Sequence, residues 1–460
     1  EQRRGVPLAI KTPETYYIHF SSDDHIAELK DAPEEKLSLH ALSKDMFLPK
    51  YTMNGLEVHN KMNDNGSLHT RVLRVIMRSH LKDLCTPLSE IISSVFEKEI
   101  SLKATDMNGW VELPIFSVIK KVIAATNAFA MFGPTLASNA TFLEAALGYP
   151  EDLFFTAEVL RLLPSPVHPP LAPFLMRNHK ASKTMVAYLT PVVEERLRRI
   201  RDGSTNEKSK ISKPVDCIQF FVDANNHKDQ WTAEKIVQVL LGIWFAALHQ
   251  PALTAVYALE DLCTYAEYVE PLRRELSSIY YCRPADGEEE CPLSAAALEN
   301  LPLLDAFLKE SSRLHPSDSI SVRRKVLEPF KFKDGTCILP GDVACLPLQA
   351  IMRDEDIYPS SLKFSPWRFI ERAAKEASQT EMRNTSRFTD TEFSYPLWGL
   401  GRHSCPGRFY ASLILKLFLA HVLTVYEMKL PAQATSRAFH FRSSIIPKSS
   451  SVVLFKRRVR

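Results

Sequence analysis

The chain has 460 residues, 45% of them hydrophobic, and 57 Lys+Arg stand against 54 Asp+Glu for a formal net charge of +3. That length and apolar content suffice for a large core, while the near balance of charge argues against a nucleic-acid binder, since no strong basic excess exists to neutralise phosphates. Eight scattered cysteines (85, 217, 263, 282, 291, 337, 345 and 405) include no Cys-x-x-Cys pair, which argues against a zinc site or a redox dithiol. Cys282 and Cys291 are candidates for a bridge in an oxidising compartment, and reduced thiols fit a cytosol-facing chain.

The chain opens at Glu1 without an initiator Met, which reads as an N-terminal truncation. Residues Glu14–Phe20 alternate in polarity and predict a strand. From about Asp24 to Pro271 the pattern is dominantly helical. Apolar residues three and four apart mark helices over Thr70–Leu84, Ser89–Ile100, Ile115–Phe132, Ala181–Arg201 and Thr232–Tyr265. The polar run Gly203–Lys213 predicts a loop. Leu162–Phe174 carries five prolines and predicts a loop, since proline breaks a helix interior. Its apolar side chains suit a membrane contact, a lid over a substrate channel, or simple packing.

After Leu301 the texture changes. A helix over Leu301–Leu314 precedes strand-like runs at Ser319–Val326, Phe330–Lys333, Cys337–Leu339 and Val343–Leu348. The later runs are separated by the turns Asp334-Gly335 and Pro340-Gly341. Short strands near Met428–Lys429, Phe439–Phe441 and Val452–Lys456 close the chain. No secretory signal is present. The nearest approach to a membrane-spanning run is Tyr410–Met428, interrupted by Lys416, His421 and Glu427, which reads as a buried core helix. The expected fold is mainly α with a small β subdomain (α+β). One domain would cover 1–460, helix-rich over 70–315, with small sheets from 1–30, 317–348 and 428–456.

The chemistry concentrates in the segment 396–408, Pro-Leu-Trp398-Gly399-Leu-Gly401-Arg402-His403-Ser-Cys405-Pro406-Gly407-Arg408. The glycines let the backbone curl tightly against a flat ligand. Pro406 suits the first turn of the apolar helix that follows. Cys405 would then lie at a helix N-terminus, where unpaired amides and the helix dipole favour a thiolate. Taken alone, such a thiol reads more readily as a buried structural cysteine. Two further pieces precede it: Glu310-Ser-Ser-Arg313, whose spacing puts both side chains on one helix face, and Phe364-Ser-Pro366-Trp367-Arg368-Phe369.

In this order the three motifs resemble the cytochrome P450 superfamily, the haem-thiolate monooxygenases, over nearly the whole chain. The resemblance implies a P450 fold and haem b with the Cys405 thiolate as axial ligand to the iron. It implies a buried structural triad of Glu310, Arg313 and Arg368 beneath the haem loop. It matches the family's cysteine loop at Gly401, His403, Cys405 and Gly407, with Gly399 beside them. Trp398 stands where phenylalanine is usual and would pack on the porphyrin. His403 and Arg324 (Arg323 as alternate) would bind propionates, as would His69 and Arg74 at the start of the 70–84 helix.

The long helix over 232–265 would cross the distal haem face. There the family's acid–threonine pair is replaced: the chain reads Ala246-Ala247-Leu248-His249-Gln250-Pro251. Ala246 leaves room above the iron, His249 can carry a proton near neutral pH, Gln250 can order a water, and Thr254 is a substitute alcohol. Pocket-lining regions are expected at Tyr51–Leu68, the proline-rich segment, Leu241–His249 with Trp244, Ser317–Val322 and Ser443–Pro447, favouring an apolar substrate with few polar handles.

Three functions remain open on the sequence. The first is insertion of one oxygen atom from O2 into a terpenoid, alkaloid or polyketide-like substrate, as in fungal microsomal members of secondary metabolism. Electrons would come from NADPH–cytochrome P450 reductase, docked on Arg71, Arg78, Lys82, Arg402, Arg408 and Lys416. The second, prompted by the missing acid–threonine pair, is desaturation, coupling, dehydration, rearrangement or peroxide-driven oxidation. The third is a haem-binding protein without turnover. The resemblance implies a monomer on the cytosolic face of the endoplasmic reticulum membrane. An N-terminal anchor outside this chain would hold it, with the 162–174 segment as a second candidate contact.

Overall fold

A computed structural model of the chain describes residues 5–53, 55–56, 68–202, 213–225, 231–280, 294–379, 386–432 and 438–459. Cys282, Cys291, most of the expected 203–213 loop and most of the Tyr51–Leu68 region lie outside the described residues. Helices dominate, and small sheets accompany them. The helices that matter below are α1 (Leu81–Ser101), α2 (Ile115–Phe132), α3 (Ala140–Leu160), α4 (His168–Leu175), α5 (Lys180–Arg201), α6 (Ala233–Thr264), α7 (Pro302–Leu314) and α8 (Arg408–Val425).

The described strands are β1 (Leu8–Lys11), β2 (Tyr16–His19), β3 (Leu37–Ser38), β4 (Val111–Pro114), β5 (Ser321–Val326), β6 (Phe330–Lys331), β7 (Cys337–Ile338), β8 (Val343–Leu346), β9 (Tyr426–Lys429), β10 (Ala438–Phe441), β11 (Ser444–Pro447) and β12 (Val452–Arg457). They form sheets in the orders β1-β2-β8-β5-β3, β4-β12-β9, β10-β11 and β6-β7. In the first, β2 pairs antiparallel with β1, Ile18 opposite Ala9. It pairs parallel with β8, Ile18 opposite Ala344. The strands β3 and β4 interrupt the stretch predicted to be dominantly helical. Two and four residues long, they are too short to show a period.

The chain divides into two compact units. The first comprises Glu1–His80, Ala124–Leu248 and Val322–Leu346, and the second Leu81–Ile123, His249–Ser321 and Pro347–Arg460. In the first, α3 packs on α5. Asn139 caps α3 by accepting the Phe142 N–H at 2.9 Å, satisfying one of the amides a helix start leaves open. The rings of Phe132, Phe142 and Trp244 pack there, Phe132 lying 5.3 Å from each of the others. Helix α3 escaped prediction because it is apolar on several faces and holds Gly148 and Pro150, so no clean stripe marks it.

In the second unit α8 packs on α1, around Phe96, Phe418, Tyr426 and Phe455. Helix α7 starts on Pro302 without a side-chain cap of its own. The Glu275 carboxylate takes its place, accepting from Leu303 N–H at 2.7 Å and Leu304 N–H at 2.9 Å. Burial pushes the Glu275 carboxyl up, with those two amides opposing.

Three expectations need correction. The proline-rich segment is helical from His168 to Leu175. Pro169 and Pro170 fall in the first turn, where the missing N–H groups had no intrahelical partner, and only Pro173 costs a bond. The predicted helix 70–84 is broken. A short helix Leu68–Arg71, a π turn Val72–Ile76 and Met77–Ser79 end at His80, and α1 then runs on through the predicted 89–100 helix. Finally, three helices are long and apolar enough to cross a membrane by length and composition, namely α2, α6 and α8. The stretch 236–259 of α6 holds no Asp, Glu, Lys or Arg. For α2 and α8, 67% and 72% of the apolar window is buried within the protein.

Candidate functional site

The cysteine loop belongs to the second unit. It runs through two short 3-10 turns, Pro396–Trp398 and Gly401–His403, before α8. Gly399 and Gly401 take φ of 73° and 59°, the left-handed region that side chains disfavour. A Cβ on Gly399 would stand in ordinary contact, 3.4 Å from the His403 carbonyl oxygen, so it is the backbone conformation that favours glycine here. The Cys405 N–H donates to Trp398 O at 2.7 Å and shuts the loop. Pro406 precedes the helix rather than starting it. The cap is Gly407, which offers no side-chain hydrogen bond, and α8 begins at Arg408.

Cys405 is a thiol outside any disulfide and only half-buried, whereas Cys85, Cys217 and Cys345 are buried. Burial pushes the Cys85 thiol up to about 11 and raises that of Cys217, where the Asp216 charge adds to it. Cys405 instead lies just ahead of a side-chain-free helix N-terminus. A thiol donor on a tight glycine loop, accessible at its tip, fits an axial thiolate for haem iron.

In the same unit the structure brings the three expected charges together. Glu310 and Arg313 are fully buried. Arg313 donates to Glu310 through Nε at 2.7 Å and Nη2 at 2.9 Å, and through Nη1 to Met352 O at 2.6 Å. Glu310 Oε1 also accepts the Ser365 N–H at 2.8 Å, and Arg368 Nε stands 3.3 Å from it. Arg368 in addition gathers the carbonyls of Pro359, Lys363 and Ser365. Both charges of the buried pair are thus held by several hydrogen bonds, the condition under which a buried ion pair is tolerated.

Sequence reasoning missed a second buried network in the same unit. The Trp398 indole Nε1–H donates to Phe388 O at 2.7 Å. The Phe388 N–H donates to Asp305 Oδ1 at 3.0 Å, and Asp305 pairs with Lys416 Nζ at 2.8 Å. Burial raises the Asp305 carboxyl, opposed by Lys416. Lys309, fully buried, bonds Ser386 Oγ at 2.8 Å and Glu392 Oε1 at 3.0 Å. Burial works to raise the Glu392 carboxyl, but the Lys309 charge and hydrogen bond, with Arg372 and Ser394, leave it lowered. The only sequence signal was charged residues at core positions of α7 and α8. Lys416 is 3% exposed, so it leaves the docking surface expected for a reductase. Arg408 turns inward, to Thr389 O and Cys405 O.

His403 accepts from Arg402 Nε at 3.1 Å. The other candidate cations belong to the first unit. Arg324 is 3% exposed and bonds the Arg323 carbonyl at 2.7 Å. Arg323 is half-buried, as are His69 on the short helix Leu68–Arg71 and Arg74 in the π turn.

On α6, Ala246 and Gln250 are exposed one turn apart, and His249 is half-buried. The helix continues through Pro251. The Thr254 hydroxyl donates to Gln250 O at 3.1 Å, so it serves its own helix. Trp244, expected to line a pocket, is fully buried with its indole N–H on Ala146 O at 2.7 Å. It is a core residue.

A family model described as Cytochrome P450 matches residues 47–455. Among curated proteins, the chain is 28% identical to Cytochrome P450 monooxygenase AN1598 of Emericella nidulans, covering 95% of this chain and 78% of that one. It is likewise 28% identical to Cytochrome P450 monooxygenase olcJ of Penicillium canescens, over 94% and 78%. To Cytochrome P450 monooxygenase paxP of Penicillium paxilli it is 26% identical, over 89% and 78%. Among solved structures, retinoic acid-bound cyanobacterial CYP120A1 matches with a TM-score of 0.73 at 16% identity, covering 98% of this chain and 92% of that one. That last likeness speaks for the fold alone.

Proposed function

Because this chain belongs to the cytochrome P450 family and is an oxidoreductase of the P450 monooxygenase class, we propose that it inserts one oxygen atom from O2 into an apolar small molecule of terpenoid, alkaloid or polyketide type. The observation that supports this reading is the Cys405 loop, closed by the Cys405 N–H on Trp398 O, together with the Glu310, Arg313 and Arg368 cluster in the same unit. Haem b, when bound, supplies the oxidising chemistry, and the protein supplies position and electrostatics.

Cys405 is the thiolate ligand in this reading. The loop's backbone and the uncapped start of α8 favour its ionised form. Gly399, Gly401 and Gly407 let the loop lie close to a flat ring, and Trp398 covers its edge. His403, Arg324 or Arg323, His69 and Arg74 are the cations assigned to the propionates. Ala246 keeps the distal side open, and His249 and Gln250 hold or order protons there. We read residues 1–460 as one catalytic domain.

NADPH–cytochrome P450 reductase is the proposed electron donor. The exposed Arg402 and Lys82 of one unit, and Arg71 and Arg78 of the other, are the remaining docking candidates. The cytosolic face of the endoplasmic reticulum is the proposed location. Exposed Leu162, Leu163, Val167 and Phe174 on and before α4 support contact with lipid.

The test is Cys405→Ala. The wild-type chain should give the reduced-CO absorbance band of a thiolate-ligated haem, and the variant should lose it. A variant that kept the band would remove Cys405 from the role. One observation favours a second reading, an atypical P450 reaction or a peroxide-driven one: Thr254, the substitute alcohol, is engaged by Gln250 O. Substrate turnover with peroxide alone, and none with NADPH and reductase, would establish it.

A further inference from the structure

A proline inside a helix leaves the carbonyl four residues earlier without its N–H donor. In α6 Pro251 does this to Ala247, and in α3 Pro150 does it to Ala146. Each of these carbonyls receives a donor from a side chain of another helix. Asn127 of α2 donates through Nδ2 to Ala247 O at 2.9 Å. Trp244 of α6 donates through Nε1 to Ala146 O at 2.7 Å. Both donors are fully buried.

We infer that Asn127 is a positioning residue for the distal segment Ala246–Gln250, matched to Pro251: its side-chain amide replaces the backbone donor that the proline deletes. The Trp244–Ala146 bond repeats the construction and ties the same stretch of α6 to α3. Together the two bonds hold α6 laterally on either side of Phe245–Ala246. An ordinary helix would hold this stretch only by its own ladder. Proline removes one rung, and the orphaned carbonyl would turn toward water unless a buried donor claimed it. With Asn127 in place, the Ala247 carbonyl has its missing donor replaced and is held toward α2.

The inference rests on the distal assignment of α6 in the P450 reading, but its first test does not. Removing one partner of a buried hydrogen bond costs about tenfold in a folding equilibrium constant. Asn127→Leu should therefore lower the urea midpoint of the full chain. The same substitution in a Pro251→Ala background should cost little, because the backbone N–H that alanine brings restores the donor. An equal loss in both backgrounds overturns the pairing. If Asn127→Leu alone fails to fold, recovery of a folded chain by the double substitution supports it, and failure of both overturns it.

The second test reads the distal face of the haem-loaded chain by imidazole titration of the Soret band. Freeing the Ala247 carbonyl should lower the imidazole dissociation constant by about fivefold or more, and adding Pro251→Ala should return it toward the wild-type value. An unchanged constant removes the positioning role. Success of the unfolding cycle with no haem spectrum at all would instead count against the P450 site assignment.

Discussion

At the scale of the residue, Trp398 shows how one departure from a family pattern is compensated. Phenylalanine there would keep the ring and lose the indole N–H. The present indole reaches Phe388 O, which hangs through its own amide on the Asp305–Lys416 pair. The loop that presents Cys405 is therefore tied from both ends of Trp398: its carbonyl takes the Cys405 N–H and its side chain holds the Phe388 backbone. Trp398→Phe should keep a thiolate-ligated haem but convert to the inactive, thiol-ligated form about tenfold faster, the worth of one buried hydrogen bond. The decay of the reduced-CO band with time measures this. Unchanged decay would mean that the indole bond does not steady the loop.

At the scale of the element, α8 follows directly on the loop's cap and carries a half-buried histidine about three-quarters of the way along. His421 bonds Ser93 Oγ on α1 through Nδ1 at 3.1 Å, and its Nε2 is buried without a hydrogen-bond partner among the described residues. Burial holds its pKa below the ordinary 6.5, with Arg457 pushing the same way and Glu97 opposing. The folded protein therefore holds neutral imidazole, while the unfolded chain takes up a proton first as pH falls. The stability that His421 contributes is complete above 6.5 and is lost as pH falls through 6.5 toward the folded value. Burial lowers His19 and His179 in the same sense. Urea midpoints measured between about pH 8 and 5 should fall, and His421→Phe should flatten part of that fall, leaving the share of the other two. A variant with the full pH dependence would show that His421 does not titrate between the two states.

At the scale of the whole molecule, the proline-rich segment separates composition from conformation. Its prolines suggested an irregular loop, but Pro169 and Pro170 sit where a first turn needs no amide donor, so α4 forms and presents Phe174 while Leu162 and Leu163 precede it. Leu162→Ser with Phe174→Ser should reduce sedimentation of the chain with phosphatidylcholine vesicles several-fold, given the apolar area removed. Equal sedimentation would leave membrane attachment to other parts of the protein.

The sequence by itself determined the helical texture, the small sheets and the proximal motifs. Spacing put Glu310 and Arg313 on one helix face, as observed, while the expected grouping with Arg368 and the role given to Cys405 came from the resemblance of the ordered motifs to a known family. The helix Ile115–Phe132 emerged with the bounds its apolar periodicity marked. Only the tertiary structure decided which charges are buried and which donors repair which carbonyls. Lys309, Lys416 and Asp305 look like surface residues in sequence, and nothing near Pro251 announces Asn127, 124 positions earlier. Periodicity records which face of a helix is apolar. The partner of a buried polar group is set by packing between segments distant in the chain, and that information is absent from any local pattern.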